Sequence, residues 1–143
     1  MTVNEFKMTV DSRSVNESFA RTAVSAFTAQ LDPTVEEIND IKTAVSEAVT
    51  NCIVHGYRNS VGKIYITVKI KDDSSVLITV KDRGAGIEDI KKAREPLFTT
   101  GGADRAGLGF SVMESFTDKL TVRSSLGRGT TVTLYKRIFG REK

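Results

Sequence analysis

The sequence predicts an α+β fold, a two-layer sandwich in which helices cover one face of a mostly antiparallel sheet. Three observations predict it. KIYITVKIK (63–71) and SVLITVKD (75–82) alternate apolar with polar residues on either side of a three-residue turn, the pattern of an antiparallel hairpin. Ile38, Ile41, Val45, Ala48 and Cys52 follow the i, i+3, i+4 spacing of a helix with one core-facing stripe. The elements run βααββ(α)αββ, which stacks helices on one side of a meandering sheet.

Taken in order, VNEFKMTV (3–10) alternates loosely and reads as a strand, at an edge of the sheet. Ser14 and Glu17 fit a capping box that opens a helix running to about Leu31. Asp32-Pro33-Thr34 breaks that helix and starts the next. The second helix ends near Gly56, which supplies a C-terminal stop. The hairpin 63–82 turns at Asp72-Asp73-Ser74. A short helix is predicted around 88–94, then a loop rich in Gly, Thr and charge over 95–109, then a helix over roughly 108–117. Two strands, 119–125 and 129–138, meet at Leu126-Gly127-Arg128.

The length of 143 residues predicts one domain, 1–143, able to bury a single core. Hydrophobic residues at 39% and charged residues at 27% are ordinary for a globular chain. The formal charge of +3, from 21 basic and 18 acidic residues, is small and scattered, so neither nucleic acid nor an anionic membrane is expected as a partner. The basic end, Lys136 to Lys143, reads as a solvated tail. With no apolar stretch of about 18 residues and no signal-peptide pattern, a cytoplasmic location is expected. The single cysteine, Cys52, excludes an internal disulfide and a cysteine-built metal site. It reads as a small core residue.

Four short segments carry chemistry. In EAVTNCIVHG (47–56), Glu47, Asn51 and His55 recur every fourth residue inside an apolar run. Glu47 and Asn51 precede Ala48 and Cys52 by one residue, about 100° around the axis, and so flank the buried stripe. In KDRGAGI (81–87) a strand ends at Asp82, an acceptor for an amino group, and Gly84 and Gly86 let backbone approach a ligand. A dinucleotide fingerprint is excluded because Asp89 stands at the third glycine position. GGADRAGLGF (101–110) lacks the Lys-Ser/Thr ending of a Walker A loop, yet runs through Gly107-Leu108-Gly109 into a helix whose N-terminal N–H groups suit phosphate. In GRGTTVTLY (127–135), Thr130 opens a strand where its hydroxyl can reach a base. His55 is the sole histidine, so neither a histidine metal pair nor a Ser-His-Asp triad is compelling.

These segments, in this order, resemble the Bergerat-type ATP-binding fold shared by gyrase, the Hsp90 chaperones, histidine kinases and MutL. NESFARTAVSAFTAQLDPT, DIKTAVSEAVTN and REPLFTT narrow the likeness to the anti-sigma factors of endospore-forming bacteria that are also serine protein kinases, the anti-sigma F factors. The resemblance covers Phe6 to about Ile138. It implies ATP/ADP and Mg²⁺ as cofactors, with Asn51 as an oxygen ligand to the metal and Glu47 as general base toward a serine hydroxyl. It assigns Asp82 to the adenine amino group, with Gly84, Gly86 and Thr130 beside it. Thr99, Thr100, Arg105, Gly107, Leu108 and Gly109 would cover the phosphates. Arg21 and Arg105 would contact protein partners. His55 and Gly56 would hold a structural or pocket-edge place. The lid carries Gly101-Gly102 where relatives often have lysine and proline, and is about one residue shorter. The implied partners are sigma F, an anti-anti-sigma factor as phosphorylation substrate, and a second copy in a homodimer. The rival reading is a nucleotide-gated sigma-binding module without kinase activity, and Glu47 separates the two.

Overall fold

The computed structural model describes residues 1–94 and 103–140, with side chains at 1–94 and 109–140. Strands β1 (Thr2–Asp11), β2 (Lys63–Lys71), β3 (Ser75–Asp82), β4 (Lys119–Ser125) and β5 (Gly129–Arg137) form one sheet in the order β1-β2-β3-β5-β4. Every neighbouring pair is antiparallel, and β1 is an edge as its loose alternation predicted. The period-2 pattern turns Ile64, Ile66 and Val68 of β2 and Val76, Ile78 and Val80 of β3 to one face, where all six are buried. Each such side chain contributes about 1.5–3 kcal/mol.

Helices α1 (Val15–Thr28), α2 (Val35–Asn51), the short α3 (Ile90–Ala93) and α4 (Ala103–Phe116) make the second layer. Helix α2 lies between α1 and α4 and packs on both. Its Ile41, Ala44, Val45, Ala48 and Val49 meet the sheet's inner face together with Ala20 and Val24 of α1 and Phe110 and Met113 of α4. Among the described residues, no helix is long and apolar enough to cross a membrane.

Three local expectations are corrected. Ser14 adopts helical dihedrals and its side chain caps nothing. Glu17 is drawn away instead, its carboxylate accepting from Arg21 at 2.9 Å and Ser46 at 2.8 Å. The reciprocal capping box lies at Thr34 and Glu37. Gly56 does not close α2 in the left-handed conformation. Beyond Asn51 the chain widens into one π-helical turn, Cys52–Gly56, closed by the Tyr57 N–H donating to the Cys52 carbonyl at 2.9 Å. Finally, α4 begins at Ala103, so Gly107, Leu108 and Gly109 lie inside a helix and not at its N-terminus. Ala103 to Ala106 are good helix formers apart from Asp104, and Asp near a helix start suits the dipole. The turns at Asp72–Ser74 and Leu126–Arg128 fall where the sequence put them, with Ser74 and Gly127 at positive φ.

Candidate functional site

The end of β3 places Asp82 at the mouth of the sheet, where it is 4% exposed. Its carboxylate accepts the Gly84 N–H at 2.9 Å and the Cys52 thiol. Burial pushes its pKa above the ordinary carboxylate value, and hydrogen bonds from Gly84, Cys52 and Thr130 pull the other way. The same burial, with the Asp82 charge beside it, pushes the Cys52 thiol well above its usual range. That thiol is therefore a donor and not a nucleophile.

The loop after Asp82 is clamped from both sides. Ala85 N–H donates to the Gly56 carbonyl at 2.8 Å, and the Ala85 carbonyl accepts from Gly127 N–H at 2.7 Å. Ile87 N–H donates to the Ser124 hydroxyl at 2.7 Å. This packing is what the glycines permit. A Cβ on Gly84 would strike the Gly56 carbonyl, and Gly86 has φ +76° with Ser125 backbone against it. Gly56 itself is required by space, since a Cβ there would stand 2.8 Å from the Asp82 carboxylate.

Asp82, Gly86 and Thr130 share a cavity of about 1290 Å³ with Asn51, His55, Gly56, Cys52 and Ser124. Thr130 and Ser124 are joined through their hydroxyls at 2.8 Å. Ser124, Cys52 and Ser124's bond to the loop were missed in the sequence. The alternation Leu120, Val122, Ser124 places Ser124 on the inner face of β4 and was the signal that could have found it.

Asn51 and Glu47 converge one turn apart on α2. A Cβ on Gly109 would lie 3.2 Å from Asn51 Oδ1, Asn51 Nδ2 and Glu47 Oε1 alike. Among the described residues Asn51 Nδ2 is buried with no hydrogen-bond partner, a cost of about 1–3 kcal/mol that a polar ligand would relieve. Asn51 is on the cavity wall, whereas Glu47 and Gly84 are not. Arg21 stands apart on α1, half-buried at 40% exposure and held by Glu17, with the Ser46 hydroxyl at 3.4 Å. Thr99 and Thr100 lie outside the described residues, as do the side chains of Arg105, Gly107 and Leu108.

The arrangement offers a buried carboxylate for an amino group on the wall of a cavity that also carries the Asn51 amide, with the Glu47 carboxylate beside Asn51 but off that wall. It fits a base with a charged tail. Among the described residues no three His, Cys, Asp or Glu side chains gather as a metal cage. A hard cation held by Asn51 Oδ1 together with ligand oxygens needs no such cage.

Residues 9–136 match the histidine kinase-like ATPase domain family. The anti-sigma F factor of Thermoanaerobacter sp. (strain X514) is 57% identical over 136 residues, covering 94% of each chain. Those of Caldanaerobacter subterraneus subsp. tengcongensis and Geobacillus kaustophilus are 59% and 52% identical, covering 89% and 94% of this chain and 89% and 93% of theirs. Among solved structures, the RsbU and RsbW domains of Rv1364c from Mycobacterium tuberculosis align with a TM-score of 0.70 at 24% identity, over 95% of this chain and 32% of that one. A blue-light activated histidine kinase from Erythrobacter litoralis aligns at 0.58 and 18% identity, over 85% of this chain and 41% of that one.

Proposed function

The chain belongs to the histidine kinase-like ATPase domain family, among its anti-sigma F factors, and from that premise we propose an ATP-dependent switch that holds sigma F inactive and phosphorylates a serine of an anti-anti-sigma factor. The observation that carries the nucleotide reading is the buried Asp82 carboxylate on the wall of the same cavity as Asn51. The reading includes a cytoplasmic homodimer in an endospore-forming cell, supported by the likeness to anti-sigma F factors.

Asp82 accepts a hydrogen bond from the adenine amino group, steadied by the Gly84 N–H and the Cys52 thiol. Gly86 and Thr130 flank the base. Asn51 Oδ1 and the oxygens beside it suit Mg²⁺, which when bound neutralises phosphate charge. Glu47 takes the proton of the incoming serine hydroxyl as the serine oxygen bonds to the γ-phosphorus and the bond to the β-phosphate oxygen breaks, releasing ADP. Gly109 presents no side chain to Glu47 and Asn51, where a Cβ would stand 3.2 Å from both. Thr99, Thr100, Arg105, Gly107 and Leu108 belong to the segment that covers the phosphates. Arg21 and Arg105 serve as contacts for the protein partners.

The test is to incubate the protein with γ-labelled ATP, Mg²⁺ and its anti-anti-sigma factor. Label on a partner serine is the expected result. ATP-dependent capture of sigma F without any transfer of label would leave only a nucleotide-gated binding module.

A further inference from the structure

Cations that are scattered along the sequence gather on the sheet face that carries no helix. Register brings Thr121, Thr133, Thr79 and Thr67 into one row across β4, β5, β3 and β2. On one side of this row lie Lys119, Tyr135 and Lys69, in line with Leu77. On the other lie Arg123, Lys81 and Tyr65. The outward positions of β2 to β5 hold no carboxylate. The face's two acids, Glu5 and Asp11, are on β1: Glu5 is in register with Lys69 and 3.9 Å from Lys7, and Asp11 pairs with Lys63. Lys69, Lys81, Lys119 and Arg123 make no ion pair among the described residues. Between the rows a groove of about 350 Å³ has Leu77 and Tyr135 for its apolar lining and Thr121, Thr133 and Lys119 for its polar one.

We propose that this face docks an acidic, extended segment of a partner protein. Strand spacing puts Lys69 about 14 Å from Lys119, and four residues of β4 put Lys119 about 13 Å from Arg123. An extended segment spans that distance between residues i and i+4, so two carboxylates match two cations while an apolar residue at i+2 enters the groove. Like charges on the face oppose its pairing with a second copy through a two-fold axis, which would set cation on cation. A single-stranded nucleic acid is disfavoured because its bases need open aromatic rings to stack on as well as cations for its phosphates. Arg83 already lies 4.9 Å over the Tyr65 ring, and Tyr135 is half-buried in the groove. The proposal stands on this face alone and does not depend on the kinase reading.

The test uses the full chain and a fluorescein-labelled dodecapeptide carrying Glu, Leu and Glu at i, i+2 and i+4, followed by anisotropy. Binding is expected to weaken about tenfold or more between about 50 and 300 mM salt. It should fall by about tenfold or more in Lys119→Glu/Arg123→Glu. Lys42→Glu, an exposed charge reversal on α2, should leave it unchanged, and ATP affinity should be the same in all three proteins. The proposal is overturned if the peptide fails to bind at millimolar concentration, or if Lys42→Glu weakens it as much as the double variant. It is equally overturned if oligo-dT binds in preference to the peptide, or if wild type sediments as a larger species than the double variant, which would make the face a self-interface.

Discussion

At Asp82 a carboxylate is kept in a place that raises its pKa, so folding and binding oppose one another. A raised acid pKa means the native state holds a proton that the unfolded state has lost, over the window just above the ordinary carboxylate value. Stability therefore declines as pH rises through that window. Asp82→Asn removes the charge, and its melting temperature at pH 7 should equal or exceed wild type, with the gain vanishing at about pH 4. The same variant should lose ATP binding, because the amide presents the adenine amino group with a weaker or misdirected acceptor. Calorimetry and melting curves at the two pH values check both halves; unchanged ATP affinity would remove Asp82 from the adenine site. Glu47 and Asn51 separate in the same way. Glu47→Ala should still bind Mg-ATP and sigma F while phosphorylation drops by about 10²–10⁴. Asn51→Ala should lose nucleotide binding and phosphorylation together, read by filter binding and label transfer. Wild-type phosphorylation by Glu47→Ala would show that another group is the base.

At the scale of elements, two sequence signatures of the same kind met different fates. Ser14 and Thr34 are each followed three residues later by a glutamate, yet only Thr34 caps. Glu37 is held by the N–H groups of Thr34, Phe139 and Gly140. Burial would raise its pKa, but these bonds outweigh it and the pKa falls below the ordinary value. Its contribution is thus present above the ordinary carboxylate pKa and is lost as pH drops through the lowered one. Thr34→Ala should cost about 1 kcal/mol in urea denaturation, and Ser14→Ala no more than a few tenths. Equal losses would mean that both caps operate in solution.

For the whole molecule, the sheet is both core and frame. Ile66, 1% exposed, lies in register between Met8 and Val80. Ile66→Ala should destabilise by about 2–5 kcal/mol. Ile66 does not itself line the nucleotide cavity, although its neighbour Val80 does, so the variant should keep its ligand affinity. Mg-ATP at about 100 times its dissociation constant would then restore about 2.7 kcal/mol. Melting curves with and without nucleotide test this, and an equal shift in wild type and variant is expected. A smaller shift in the variant would show that the core and the pocket are coupled.

The alternation of β2 and β3, the stripe of α2 and the two hairpin turns determined the architecture from the sequence alone, because each is a local rule of period or turn chemistry. The Glu47–Asn51 column and the Asp82–Gly84–Gly86 turn were legible for the same reason: helix and strand geometry fix their relative placement. Tertiary contact decided the rest. It gave Glu17 to Arg21 and Ser46 and so took it from Ser14. It made Gly56 a matter of space beside Asp82 and not of helix termination, and it brought Cys52 and Ser124 to the pocket. The strand order β1-β2-β3-β5-β4 also gathered onto one open face cations far apart in the sequence, such as Lys69 and Arg123, 54 positions apart. A linear pattern records which face of its own element a residue takes; which faces meet is set by how the elements pair and pack.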